Sequence, residues 1–153
     1  MERCETLRPQ IESILVEEGL PEYFFFLALA ESGCDPSNIS SRGAKGLYQI
    51  MPYTFKVYSI GVCDEKKPCS EEKILDPIIS TRVAAKYLKS LYIRFNRDVN
   101  WTIAAYNAGG TNLRRGTGYV KGMNFSIVKR KYPDAYLLAR KVENFSKIQY
   151  PKK

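Results

Sequence analysis

Histidine is missing from this sequence entirely. The formal net charge of +8 therefore rests on lysine and arginine, and it hardly changes between about pH 5 and pH 8. A zinc site is short of ligands as well. The four cysteines, Cys4, Cys34, Cys63 and Cys69, lack paired C-x-x-C spacing, and no histidine can complete a set. Long apolar runs are absent: the longest, Tyr23 to Ala30, falls well short of the roughly 18 residues a membrane span needs. No segment alternates with period two for long, so any sheet is small. The start, Met-Glu-Arg-Cys-Glu, is too polar for a signal peptide. No linker, repeat or low-complexity tract divides the chain, and no cofactor motif stands out.

What remains is ordinary globular material. The 153 residues, 44% hydrophobic, predict one domain over 1–153, with a core from about residue 5 to 146. The basic balance favours an anionic partner: nucleic acid, anionic membrane or a wall polymer rich in carboxylates. Helical periodicity runs from Leu7 to Glu18 and stops at Gly19-Leu20-Pro21. A second helix, Glu22 to Glu31, is apolar on nearly every face and is expected in the middle of the fold. Ser37 to Lys45 reads as loop, Gly46 to Met51 as a turn, and Thr54 to Ser59 as a short helix. A charged excursion follows from Ile60 to Ile74. Asp76 caps a long helix that Pro77 opens. Val99 to Ala108 is helical and ends at Gly109-Gly110, Thr111 to Met123 reads as a mobile loop, and Pro133 to Phe145 is the last helix. The fold class is mainly α.

The cysteines bear on location. An even count without a metal pattern points to two disulfides and an oxidising compartment. Cys63 and Cys69 flank a polar turn, and Cys4 with Cys34 follows by elimination. Four buried free thiols are the alternative. Disulfides would place the chain in the periplasm or outside the cell, with a leader already removed.

Glu31 closes the apolar helix. Burial beside Phe24 to Ala30 and the negative end of the helix dipole both disfavour its charged form. A carboxylic acid held protonated near neutral pH can protonate a leaving oxygen. A glutamate at a helix end can equally face solvent. The residues after it decide between these readings. Glu31-Ser32 is followed by Ser40, by Gly46-Leu47-Tyr48-Gln49, by Met51-Pro52 and by Ala105-Tyr106-Asn107-Ala108-Gly109. In this order the set resembles the catalytic domain of the soluble lytic transglycosylases, the family 1 enzymes with a goose-lysozyme-like fold. The resemblance covers about Leu20 to Val142.

That resemblance implies a role for each matching residue. Glu31 is the single catalytic acid and base. Ser40 contacts the substrate beside the cleavage point. Tyr48, Gln49 and Met51 line the glycan groove, Tyr106 and Asn107 belong to the AYNAG segment near the glutamate, and Tyr136 faces the site from the last helix. The implied reaction cuts peptidoglycan between N-acetylmuramic acid and N-acetylglucosamine and closes a 1,6-anhydro ring. It needs no metal or cofactor, and a monomer suffices. There are departures. Tyr48 fills a position where the family commonly has Met or Trp. Tyr132-Pro133-Asp134-Ala135-Tyr136 replaces the frequent Glu-Thr-Arg-x-Tyr, which alters sugar contacts on one side of the groove. Goose-type lysozymes share the fold and add water, on acetylated or deacetylated glycan. A glycan-binding module without activity would not need Glu31. A nucleic-acid binder would explain Arg114-Arg115 and Lys129-Arg130-Lys131, but no aromatic-basic interleaving accompanies them.

Overall fold

The computed structural model describes residues 2–148. Eight α-helices follow in order among them: α1 Glu2–Glu17, α2 Phe25–Ser32, α3 Pro52–Tyr58, α4 Pro77–Arg94, α5 Val99–Ala108, α6 Gly110–Thr117, α7 Ser126–Lys131 and α8 Pro133–Ile148. Short 3-10 turns, Glu22–Phe24 and Glu71–Leu75, precede α2 and α4. The β content among the described residues is two isolated bridges, Ile39 with Lys45 and Lys45 with Ile50. No described helix is long and apolar enough to cross a membrane. The chain divides into two compact units, Met1–Tyr87 and Leu88–Lys153.

In the first unit α2 carries the apolar load. Phe25, Phe26, Leu27, Ala28 and Ala30 are all buried, as its unbroken apolar run predicts. Gly33 ends the helix in the left-handed region (φ 64°), where a residue without a Cβ is at ease. Helix α1 starts at Glu2, earlier than Leu7, and so brings Cys4 to Cys34, with which it is disulfide-bonded. Cys63 and Cys69 form the second disulfide. The charged excursion they sit in is also tied back by Ser59, whose hydroxyl accepts from the Cys69 amide at 2.9 Å. Asp76 caps α4 as its position predicts: its carboxylate accepts from the Ile78 and Ile79 amides at 2.9 and 3.0 Å.

In the second unit α5 packs chiefly on α8, and α7 on α8. Asp98 caps α5, accepting from the Trp101 amide at 3.1 Å. Trp101 and Phe95 are buried and stacked, with Tyr119 against both rings. Two elements depart from the sequence reading. The segment after Gly109 is not a mobile loop at its start: Gly110–Thr117 is helix α6. Ser126–Lys131 is helical as well. Glycines that read as breakers are there for close approach. A Cβ on Gly110 would lie 2.8 Å from the Leu91 side chain, and one on Gly116 would meet the Tyr132 hydroxyl at 1.9 Å.

Candidate active site

Glu31 lies in the last turn of α2 and is partly exposed. The next residue, Ser32, is buried, and its hydroxyl lies 2.6 Å from the Leu47 carbonyl and 3.1 Å from the Ala28 carbonyl. Tyr48 makes a second tie. Its ring is fully buried, and its hydroxyl donates to the Phe24 carbonyl at 3.1 Å. Two hydrogen bonds thus fasten Leu47-Tyr48, one to the 3-10 turn that leads into α2 and one to the end of α2. Burial pushes the Tyr48 phenol far above its ordinary pKa, so it stays a donor at any working pH.

The segment itself is a tight loop. Lys45 and Ile50 exchange backbone hydrogen bonds at 3.0 Å, and the Gly46 amide donates to the Asn38 carbonyl at 2.8 Å. Gly46 has φ 81°, and a Cβ there would stand 2.3 Å from the Ile74 carbonyl oxygen, so only glycine fits. Gln49 also holds positive φ (51°). Its side-chain amide donates to the carbonyls of Asn38 and Gly46 at 3.0 and 2.9 Å, which stabilises that turn. Ser40 closes a second turn: its hydroxyl accepts from the Ala44 amide at 3.0 Å. Met51 precedes α3 and is 45% exposed.

The structure therefore gathers Glu31, Ser40, Tyr48, Gln49 and Met51 in the first unit, on the end of α2 and the loop bonded to it. Tyr48 needs a correction. A groove-lining role was expected, but it has no exposed surface and supports the loop from below. Ser32, which the sequence analysis named beside Glu31 without giving it a role, is the link. Its one signal was a small polar residue inside an apolar helix. In the second unit Tyr106 and Asn107 lie in the last turn of α5, the first partly exposed and the second exposed. Asn107 borders a depression of about 250 Å³ with Tyr132, Pro133 and Asp134. Tyr136 on α8 stacks on Phe125 with ring centroids 5.7 Å apart, and Lys129 Nζ stands 5.8 Å from its ring. Among the described residues no group of three or more Cys, Asp or Glu side chains could hold a metal.

A part-exposed carboxylate on a rigid helix end, bonded to a loop that presents polar and apolar side chains, suits acid–base chemistry on an extended substrate. Comparison with known proteins shows the family. The sequence profile of the transglycosylase SLT domain matches residues 11–128. The soluble lytic murein transglycosylase of Escherichia coli K12 is 34% identical over 104 residues, 65% of this chain and 15% of that protein. Membrane-bound lytic murein transglycosylase D of the same strain is 29% identical over 107 residues, 70% of this chain and 23% of its own length. The chain thus spans less than a quarter of either relative. Among solved structures, an inactive glutamate-to-glutamine mutant of lytic transglycosylase Slt from Pseudomonas aeruginosa superposes with TM-score 0.76 at 25% identity, covering 88% of this chain and 22% of that one. The 70 kDa soluble lytic transglycosylase of E. coli gives TM-score 0.74 with the same coverage and identity. With most of its length under the family's profile and its helices matching the family's solved structures, the chain belongs to the transglycosylase SLT domain family.

Proposed function

We propose that this chain cleaves the β-1,4 bond between N-acetylmuramic acid and N-acetylglucosamine in peptidoglycan, without consuming water. The observation that carries the reading is Glu31 in the last turn of α2, joined through Ser32 to the Gly46–Met51 loop. The Glu31 carboxyl gives its proton to the bridging oxygen as the bond to the muramic C1 breaks. The N-acetyl group of the sugar supports the positive charge left at C1. The ionised Glu31 then takes the proton of the C6 hydroxyl, whose oxygen bonds to C1 and closes the 1,6-anhydro ring. One carboxylate serves because the substrate supplies the nucleophile, unlike the two-carboxylate pattern of most glycosidases.

Ser40, Gln49, Met51, Tyr106, Asn107 and Tyr136 would contact the glycan. The family profile spans residues 11–128 and takes in all of these but Tyr136, which supports that reading. Two disulfides support an oxidising location in the cell envelope. The chain would act as a monomer, and light scattering at 17.5 kDa checks this.

The test is mass spectrometry of muropeptides released from purified peptidoglycan by the wild type and by Glu31→Gln. Products at the 1,6-anhydro mass, lost in the mutant, are expected. Reducing-end products carrying oxygen from labelled water would replace the reading with hydrolysis. No release from acetylated or deacetylated walls would leave only a binding module.

A further inference from the structure

Charge is divided unevenly along the chain. Residues 1–87 hold 10 Lys and Arg against 13 Asp and Glu, a net −3, while residues 88–153 hold 14 against 3, a net +11. The second unit therefore carries more than the whole excess. Such asymmetry between halves points to an anionic surface as partner.

The cations are concentrated. Arg114 and Arg115 lie in the last turn of α6, and Lys129, Arg130 and Lys131 in the last turn of α7. The two helix ends are held together: Lys131 Nζ donates to the Gly116 carbonyl at 2.8 Å, and the Tyr132 hydroxyl to the Asn112 carbonyl at 2.8 Å. All five cations are exposed. Among the described residues none of them is in an ion pair with a carboxylate. Lys129 lies over Tyr136, one turn before Arg140, so this ledge adjoins the Arg140 side of α8.

The outward face of α8 adds apolar surface. Leu137 is 62% exposed and Ile148 is 78% exposed. With Phe145 they border a shallow depression of about 450 Å³ that Arg140 and Lys141 also line. A soluble polyanion gains nothing from exposed Leu and Ile. A bilayer interface takes both, the apolar residues at the acyl boundary and the cations at anionic headgroups.

We propose that the second unit docks this protein on an anionic phospholipid membrane, with the α6–α7 ledge as the electrostatic contact and Leu137, Phe145 and Ile148 as the apolar one. Docking of this kind is peripheral and reversible. It does not depend on the cleavage reaction, and it would hold the protein at the membrane face of the wall.

The test is co-sedimentation of the 153-residue chain with vesicles of phosphatidylcholine alone and of phosphatidylcholine with phosphatidylglycerol. Binding to the anionic vesicles, absent on the neutral ones and weakened by salt, is expected. Arg114→Ser/Arg115→Ser/Arg130→Ser should lose about a hundredfold, at roughly fivefold per cation. Leu137→Ser/Ile148→Ser should lose about tenfold on vesicles, yet bind inorganic polyphosphate as the wild type does. All five positions are exposed, and unchanged melting curves verify folding. No sedimentation with anionic vesicles overturns the proposal. So does vesicle binding that ignores the Leu137/Ile148 change, which would mark a site for polyphosphate or nucleic acid instead.

Discussion

Replacing Ser32 with alanine tests how the end of α2 is coupled to the loop beneath it. The hydroxyl lies 2.6 Å from the Leu47 carbonyl, and Leu47 has no exposed surface. Water cannot take the place of the lost donor, so the substitution leaves a buried acceptor short of a partner. That costs about 1–3 kcal/mol. Little apolar area changes to offset it. For a domain of this size the loss lowers the melting temperature by roughly 3–9 °C. Tyr48→Phe removes the other tie, to the Phe24 carbonyl, and should cost about 1 kcal/mol. Both bonds hold the same two residues, so the double mutant should differ from the sum by about 0.5 kcal/mol or more. Urea unfolding of the four proteins measures this. The rate of peptidoglycan clearing, followed by turbidity, should fall in Ser32→Ala although Glu31 is intact. A melting shift under about 1 °C, or two effects that simply add, would refute the coupling.

The remaining tests are shorter. Gly46→Ala should cost more than about 3 kcal/mol, because a Cβ would sit 2.3 Å from a backbone oxygen that cannot withdraw. Gly33→Ala, also at positive φ but with open space around it, should cost only about 1–2 kcal/mol, so equal losses in urea would contradict the clash. Removing the Cys4–Cys34 bridge as a serine pair opens a loop of separation 30 and should cost about 3.6 kcal/mol by chain entropy. Removing Cys63–Cys69, separation 6, should cost about 2 kcal/mol, and a reversed order in denaturant unfolding would refute the estimate. Glu143 is held below the usual carboxylate range by its hydrogen bond to Lys147, with the charges of Arg140 and Lys147 adding to it. Its folded pKa is depressed, so its contribution is present above the unfolded value of about 4.5 and is lost as pH falls below that. An NMR titration of the Glu143 carboxyl at or above its ordinary midpoint would disprove this.

The sequence was most informative where a single signal acts locally. Asp76-Pro77 marked the start of α4 because a capping carboxylate and a fixed proline φ act on their own neighbours. Val99 to Ala108 was readable from Gly109-Gly110 at its end, and the structure adds the Asp98 cap at its start. Helix α6 was not, because glycine carries two meanings. At Gly110 and Gly116 the missing side chain makes room for Leu91, Arg94 and Tyr132, and nothing in the local sequence says that those residues will be there. Period alone would have helped. Leu113 and Thr117 turn inward at helical spacing, while Arg114 and Arg115 turn out.

The candidate site shows the same division. The place of Glu31 at the end of α2 was legible because a carboxylate after seven apolar or small residues is conspicuous. The part played by Ser32 and Tyr48 was hidden because each acts on a backbone carbonyl, and a carbonyl has no residue type to read. Ser32 reaches Leu47, fifteen residues away, and Tyr48 reaches Phe24, twenty-four away. Both bonds run from the same dipeptide to α2 or the 3-10 turn that opens into it, so the spacing from Glu31-Ser32 to Gly46-Leu47-Tyr48-Gln49 is itself a structural constraint. The loop must leave α2, turn at Ser40 and Gly43, and return with Leu47 under Ser32. A residue inserted between Asn38 and Gly46 would break the 2.8 Å bond between them or displace Leu47 from the helix end. That is the physical content of the spacing in this chain: the helix end that carries Glu31 and the glycine-led loop are joined through Ser32 and the Leu47 carbonyl.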